Sequence, residues 1–167
     1  MVSKEVEKLL LKVQKPGRYV GGELNEVIKD KKKVDCRFAF CFPDTYEVGM
    51  SHLGMKILYS LMNAVPYIWC ERVFAPWVDM EEEMIKHNIP LYALESGDPV
   101  SDFDFIGFTL QYELSFTNML NMLRLSGVPI KSCDRKELKN IVKVIITSNI
   151  KATSLFLLLT ILFPPIH

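Results

Sequence analysis

Two hydrophobic patterns alternate along the chain from residue 34 onward. Short apolar runs rich in β-forming residues recur, as in strands that are buried on both faces of a sheet. Between them lie longer segments with apolar residues three and four positions apart, which is typical of amphipathic helices. This alternation predicts an α/β fold, with an open, mainly parallel Rossmann or flavodoxin-like sheet and helices on both faces.

The predicted elements follow from these patterns. Strands are predicted at 34–42, 68–76, 91–96 and 105–110, and residues 141–147 supply a fifth in principle. The link 97–104 is too short for a crossover helix and predicts a single helical turn. Two predicted helix faces consist of Leu53, Ile57, Leu58, Leu61 and Met62, and of Phe116, Met119, Leu120 and Leu123.

The two ends of the chain fall outside this alternation. Residues 1–33 contain Val6, Leu9, Leu10 and Val13 at helical spacing, which predicts an N-terminal helical arm followed by a connector. The α/β domain is predicted at 34–138, and 139–167 forms an apolar tail. The apolar run 155–163 is shorter than the about 20 residues that span a bilayer, so no membrane partner is expected, although an anchor stays an alternative.

Composition narrows the function classes. Twenty basic and twenty acidic residues leave a net charge of zero, so no overall field attracts nucleic acid. The four cysteines lack the paired spacing of a zinc site, and no metal site is predicted. The charged, polar N-terminus does not resemble a secretory signal, which favours a cytoplasmic location and free thiols.

Candidate chemistry gathers in the loops after the first and fourth predicted strands. Ligands of open α/β sheets bind beyond the carboxyl ends of the strands, where strand order reverses, and these two loops commonly flank that point. The residues expected to line a cofactor crevice are Pro43, Asp44, Tyr46, Glu47, Ser51, His52, Gly54, Tyr112, Glu113 and Ser115. No residue is singled out as catalytic.

Local alternatives accompany these assignments. Gly49 and Gly54 have the spacing of a phosphate loop, but Met55 and Lys56 stand where that motif needs lysine and then a hydroxyl residue. The chain also lacks a dinucleotide fingerprint. His52 is either an acid, base or ligand, or a local hydrogen-bonding group at a helix start. Ser51 is a plausible N-cap, and Glu113 and Ser115 could equally cap a helix.

Several long motifs resemble the N-terminal portion of a family of radical S-adenosylmethionine (radical SAM) proteins. They lie within roughly residues 18–135 and read RYVGGELNEV, FPDTYEVGMSHLGMKILYSLMN, CERVFAPWVDMEEEM, PLYALES and FDFIGFTLQYELSFTNMLNMLRLSGVPI. Members of this family begin with a cobalamin-binding-like domain and continue into a radical SAM barrel. The resemblance implies a flavodoxin-like sheet, cobalamin as a possible cofactor and the barrel as the partner.

Two departures from the family pattern limit what this chain can do. Radical enzymes of this kind hold a 4Fe-4S cluster with Cys-x-x-x-Cys-x-x-Cys, a spacing that is absent here. The cluster and S-adenosylmethionine are therefore expected only in the missing parent domain, and this chain alone is not expected to be catalytic. Cobalamin domains with an axial histidine carry Asp-x-His-x-x-Gly, whereas Met50 and Met55 replace the aspartate and glycine around His52.

Three functional hypotheses follow. The chain is an accessory cobalamin-binding-like domain, a docking scaffold for the barrel without a ligand, or a stand-alone enzyme that uses His52 and Glu113 as an acid–base pair. Small residues and free amides in the crevice would favour a corrin. Tyr46 and Tyr112 closed across it would favour a scaffold.

The tail generates a prediction about the encoding gene. The family continues with a strand and a glycine-rich turn, whereas residues 143–155 read KVIITSNIKATSL. We expect the chain to be a truncated or frame-shifted gene product, with 139–167 read out of its original frame. A fifth strand lost to such a tail would leave a sheet edge open, which predicts poor solubility or self-association. Translation of the coding DNA in the other two frames should restore the glycine-rich turn and the cysteines, and their absence from both frames would contradict the hypothesis.

Overall fold

The computed structural model describes residues 3–113, 115–131, 134 and 143–147, and within them it contains helices, strands and two 3-10 turns. The helices are α1 (Lys4–Leu10), α2 (Tyr46–Ser51), α3 (Leu53–Asn63), α4 (Val78–His87) and α5 (Ser115–Leu125). The strands are β1 (Cys36–Phe42), β2 (Ile68–Phe74), β3 (Phe105–Thr109) and β4 (Lys143–Thr147). The 3-10 turns are Pro16–Arg18 and Val100–Asp102.

The strands form one parallel sheet in the order β2-β1-β3-β4. This confirms the predicted open α/β class. From β1 the chain moves outward to β2 and then returns to the other side of β1 as β3, so strand order reverses between β1 and β3. The sheet includes β4, at the position where the sequence supplied a further strand in principle, so this strand is not lost. It lies beyond residue 138, where the sequence predicted the α/β domain to end.

Alternate residues of β1 feed two separate hydrophobic clusters. Ala39 and Cys41 pack in a cluster with residues of α1, α4 and α5, whereas Phe38, Phe40 and Phe42 pack with residues of α3. Because side chains along a strand point to opposite faces in turn, the helices cover both faces of the sheet. The N-terminal arm belongs to the first cluster through the buried Val6, Leu9 and Val13. These three residues have the helical spacing that the sequence predicted.

The predicted core faces of two helices are partly wrong. In α3 the buried residues are Met55, Tyr59 and Met62, and in α5 they are Ser115, Met119, Met122 and Leu123. Leu53, Ile57, Leu61, Phe116 and Leu120, which the sequence assigned to these faces, are exposed. Both helices carry two apolar stripes at three- and four-residue spacing, and periodicity alone does not decide which one meets the sheet.

Residues 91–96, predicted as a strand, form a turn beside β2. Tyr92 makes an isolated antiparallel bridge with Pro99, and Gly97 has a positive φ of 76°. The amide of Leu94 donates to the carbonyl of Arg72 at 2.9 Å, but the amide of Arg72 donates to the carboxylate of Glu95. A side chain therefore takes the place of the backbone ladder that a strand would form.

Two buried carboxylates fasten this turn to the sheet. Glu95 accepts from both the backbone amide and Nε of Arg72 at 2.6 Å. Glu71, in β2, accepts from Nη2 of Arg37 at 2.6 Å and from the amide of Ser96 at 3.0 Å. Burial raises the pKa of both carboxyls, although their arginine partners favour the charged forms. The outer edge of β2 is thus covered by hydrogen-bonded side chains.

Other predictions meet the described residues only in part. Among the residues that the structure describes, no helix is both long enough and apolar enough to cross a bilayer. Cys36, Cys41 and Cys70 are buried free thiols, whereas Cys133 lies outside the described residues. The apolar run 155–163 and most of the predicted tail also lie outside them.

Replacement of the buried carboxylate of Glu95 tests its structural role. We expect Glu95→Ala to lower the free energy of unfolding by about 3–5 kcal/mol, because the buried guanidinium of Arg72 loses its charged partner. Arg124→Ala is the control, since it removes a more exposed ion pair with Glu81 and should change stability by about 1 kcal/mol or less. Urea unfolding followed by tryptophan fluorescence measures both, and equal small effects would contradict the prediction.

Candidate functional site

The loops after β1 and β3 meet at the point where strand order reverses. The strands are neighbours there, with Cys41 in register with Phe108. The Tyr112 hydroxyl donates to Oδ2 of Asp44 at 2.6 Å, and Nδ2 of Asn118 donates to the carbonyl of Pro43 at 2.9 Å. The structure therefore brings Pro43, Asp44 and Tyr112 together, and these contacts close the crevice between the loops.

Asp44 joins this bridge to the start of a helix. Its Oδ1 accepts from the amide of Thr45 at 2.7 Å, directly before α2, while Oδ2 accepts from Tyr112. The hydrogen bond to Asp44 raises the pKa of the Tyr112 phenol, and partial burial adds to the effect. Tyr112 itself is 48% exposed, so the bridge lies at the mouth of the crevice.

His52 performs the local role that the sequence left open as an alternative. It is the N-cap of α3, where its Nδ1 accepts from the amide of Met55 at 3.2 Å. Its ring lies 5.4 Å from the ring of Phe42, centroid to centroid. A Cβ on Gly54 would approach the imidazole to 3.0 Å, so Gly54 gives this ring its space.

Ser51 is not the N-cap that the sequence suggested. It ends α2, and its hydroxyl donates to the carbonyl of Val48 at 2.8 Å. The loop predicted at this position contains a short helix of its own, so His52 stands between two helices and caps the second.

Tyr46 and Glu47 bind the N-terminal segment and do not cross the crevice. The Tyr46 hydroxyl donates to Glu23, and burial raises its pKa to about 12. Glu47 pairs with Nη2 of Arg18 at 2.8 Å and with Lys15 at 3.2 Å. The Arg18 hydrogen bond is the main reason why the pKa of Glu47 falls to about 2. Only Tyr112, of the two tyrosines considered, spans the crevice.

Glu113 lies just before α5, and Ser115 is its first residue. The carbonyl of Glu113 accepts from the amide of Phe116 at 3.1 Å, and Ser115 is buried. No hydrogen bond joins His52 to Glu113 among the described residues, so the geometry does not assemble the acid–base pair of the third hypothesis. Within the same part of the chain, no group of three or more histidine, cysteine, aspartate or glutamate residues is placed to hold a metal ion.

Sequence reasoning missed a cavity of about 610 Å³ between the connector, here residues 23–27, and helices α2 and α3. Its lining residues are Glu23, Leu24, Asn25, Val27, Gly49, Met50, Met55, Lys56, Tyr59, Ser60, Asn63, Ala64 and Arg72. The signal in the sequence was two adjacent charged residues, Glu71 and Arg72, inside a strand that is otherwise apolar. Charged residues are rarely buried unless they have a charged partner, so these two residues indicated a polar feature of the core.

Comparison with known proteins finds one family. The family described as "Radical SAM proteins, N-terminal" matches residues 54–155, more than half of the chain. The match includes the loop after β3 and also β4, and it extends past residue 135, where the motifs that carry the resemblance end. No curated protein and no solved structure matches the chain.

The ion pair of Glu47 predicts a pH dependence. Its pKa of about 2 lies below the ordinary 4.5, so the pair stabilises the fold above about pH 4.5. This stabilisation is lost as the pH falls toward 2. We expect Glu47→Gln to destabilise the protein most above pH 4.5, with the difference from wild type shrinking toward pH 2 in urea unfolding.

Arg18→Met provides the matched control for this titration. It removes the main partner of Glu47, so adding Glu47→Gln to this background should produce a much weaker pH-dependent difference. An unchanged pH dependence in that background would show that Arg18 does not cause the shift.

Proposed function

We propose that this chain, which belongs to the family described as "Radical SAM proteins, N-terminal", is an accessory domain that docks a radical SAM barrel. The docking surface is the carboxyl edge of the sheet, where the loops after β1 and β3 meet. The 4Fe-4S cluster and S-adenosylmethionine would then belong to the barrel, and this chain would contribute no catalytic residue of its own.

The closed crevice is the observation that carries the docking proposal. Tyr112 and Asn118, on one side, donate hydrogen bonds to Asp44 and Pro43 on the other. A corrin would have to break these contacts before entering. The amide of Met55 donates to Nδ1 of His52, so the neutral ring carries its proton on Nε2 and has no free lone pair for an axial bond. The residues present therefore do not fit an open corrin site in this conformation.

Exposed apolar side chains around the crevice supply a docking surface. Val48, Leu53, Tyr112 and Phe116 are 45%, 68%, 48% and 46% exposed, and all lie in the loops or first helical turns that follow β1 and β3. Exposed apolar side chains that gather on one surface mark interaction sites in soluble proteins. The occupant we propose is the barrel, because the family description places this region at the N-terminus of radical SAM proteins.

Cobalamin binding is the second candidate, and one feature favours it. The crevice lies where strand order reverses, the usual ligand position in open α/β sheets. Its closure depends on Tyr112, whose side chain is half exposed and could turn outward. A bound corrin would be held by Asp44 and loop amides once Tyr112 has turned away, without an axial bond from His52.

A binding experiment distinguishes the two candidates. The full chain is mixed with a separately expressed barrel from a family member that carries the three-cysteine motif, and affinity is measured by biolayer interferometry. Leu53→Gln and Phe116→Gln should each weaken binding at least tenfold. Ile85→Gln is the matched control, because Ile85 is 51% exposed but lies in the last turn of α4, toward the opposite edge of the sheet.

Titration with hydroxocobalamin completes the test. If docking is the function, the visible corrin spectrum should not change when wild-type protein is added. Saturable one-to-one binding, strengthened by Tyr112→Phe as the crevice opens, would support cobalamin and overturn the closed-crevice argument. Failure to bind the barrel, or equal losses with Ile85→Gln, would contradict docking at this edge.

A further inference from the structure

The cavity between the connector and helices α2 and α3 contains an arginine nitrogen without a partner. Arg72 is 5% exposed and lines the cavity. Its Nη2 is buried and has no hydrogen-bond partner among the described residues. A buried donor left unpaired is unfavourable, and more so when the group is charged. The geometry of this cavity thus calls for an acceptor that the described residues do not provide.

The guanidinium is held firmly by its other contacts. Nε donates to Glu95 at 2.6 Å, and the group lies 4.5 Å from the ring centroid of Tyr59. Nη1 lies 3.4 Å from the sulfur of Met50. A donor fixed in this way loses little conformational entropy when it binds an acceptor. Nη2 is covered in this conformation, so lining side chains must shift before an acceptor reaches it. Met50, whose sulfur lies beside Nη1 of the same guanidinium, has a flexible side chain that allows such a shift.

The lining indicates what kind of molecule would fit. A volume of about 610 Å³ is in the range of small-molecule sites. Leu24, Val27, Met50 and Met55 provide apolar walls. This combination of apolar walls and one buried cationic donor suits an organic molecule with an acceptor at one end.

The charges select a monoanion. Lys56 and Arg72 are the basic lining residues and Glu23 is the acidic one. Glu95, which is buried, pairs with Arg72 from the other side. A doubly charged phosphate would be repelled by Glu23 and Glu95, whereas a single carboxylate can accept from Nη2 with less repulsion.

We propose that this cavity binds a small organic carboxylate, whose apolar body lies against Met50 and Met55 and whose carboxylate accepts from Nη2 of Arg72. The site is separate from the crevice between Asp44 and Tyr112, and it does not depend on the docking proposal. It gives the domain a ligand site of its own that neither its family membership nor its docking role requires.

Methyl NMR tests the proposal on the full chain. Protein labelled with ¹³C at the methionine methyl groups is titrated with hexanoate and, separately, with the uncharged analogue 1-hexanol. Hexanoate should shift the signals of Met50 and Met55 saturably, while Met80 and Met84, in the other core cluster, stay unchanged. 1-Hexanol should bind at least tenfold more weakly. Equal binding of both compounds, or no saturable shift, would overturn the proposal.

Variants identify the site. The double substitution Arg72→Gln and Glu95→Gln removes the pair without leaving a lone buried charge, and it should reduce hexanoate affinity to that of 1-hexanol. Ser60→Trp, at an exposed position in the lining, should block both compounds even if the double variant does not fold. Lys56→Gln should weaken hexanoate binding and Lys86→Gln, on α4, should not. Unchanged binding in Ser60→Trp would also overturn the proposal.

Discussion

The rest of the structure depends on the hydrogen bonds of two buried carboxylates, Glu71 in β2 and Glu95 in the turn beside it. Glu95 accepts from the backbone of β2, and Glu71 of β2 accepts from the backbone of the turn at Ser96. Each of the two segments therefore pairs a backbone amide of the other with a side-chain carboxylate, where a further parallel strand would use its backbone carbonyls. Charges buried in this way are costly unless they are paired, so Arg37 and Arg72 are required by the same arrangement. Arg72, which is held by its ion pair with Glu95, lines the cavity.

This arrangement separates two surfaces of the domain. The crevice beyond β1 and β3 is closed by polar contacts and surrounded by exposed apolar side chains, which suits a protein partner. The cavity beside α3 is open to solvent on one side, partly apolar and provided with one unpaired donor, which suits a small molecule. The docking surface and the ligand site that we propose thus lie in different parts of the domain.

Much of the fold could be predicted because it depends on local patterns. The strands with continuous apolar runs formed where the sequence indicated, and the reversal of strand order brought the loops of Asp44 and Tyr112 together. The errors have a common cause. In α3 the residues Ile57 and Tyr59 both belong to apolar stripes, and only the position of the sheet decides that Tyr59 is buried. Residues 91–96 have strand composition but form a turn. The side chain of Glu95 accepts the hydrogen bond from the amide of Arg72 that the backbone of a strand would accept.

By itself, the sequence determined the class of the fold, the positions of its four strands and the meeting of the two candidate loops, since these follow from periodicity and from the geometry of parallel sheets. Only the tertiary structure decided that Tyr112 closes this crevice while Tyr46 binds Glu23, and that Arg72 keeps a nitrogen without a partner. The physical reason is that hydrogen-bond partners distant in the sequence depend on side-chain directions and distances, which a pattern of residue types does not contain.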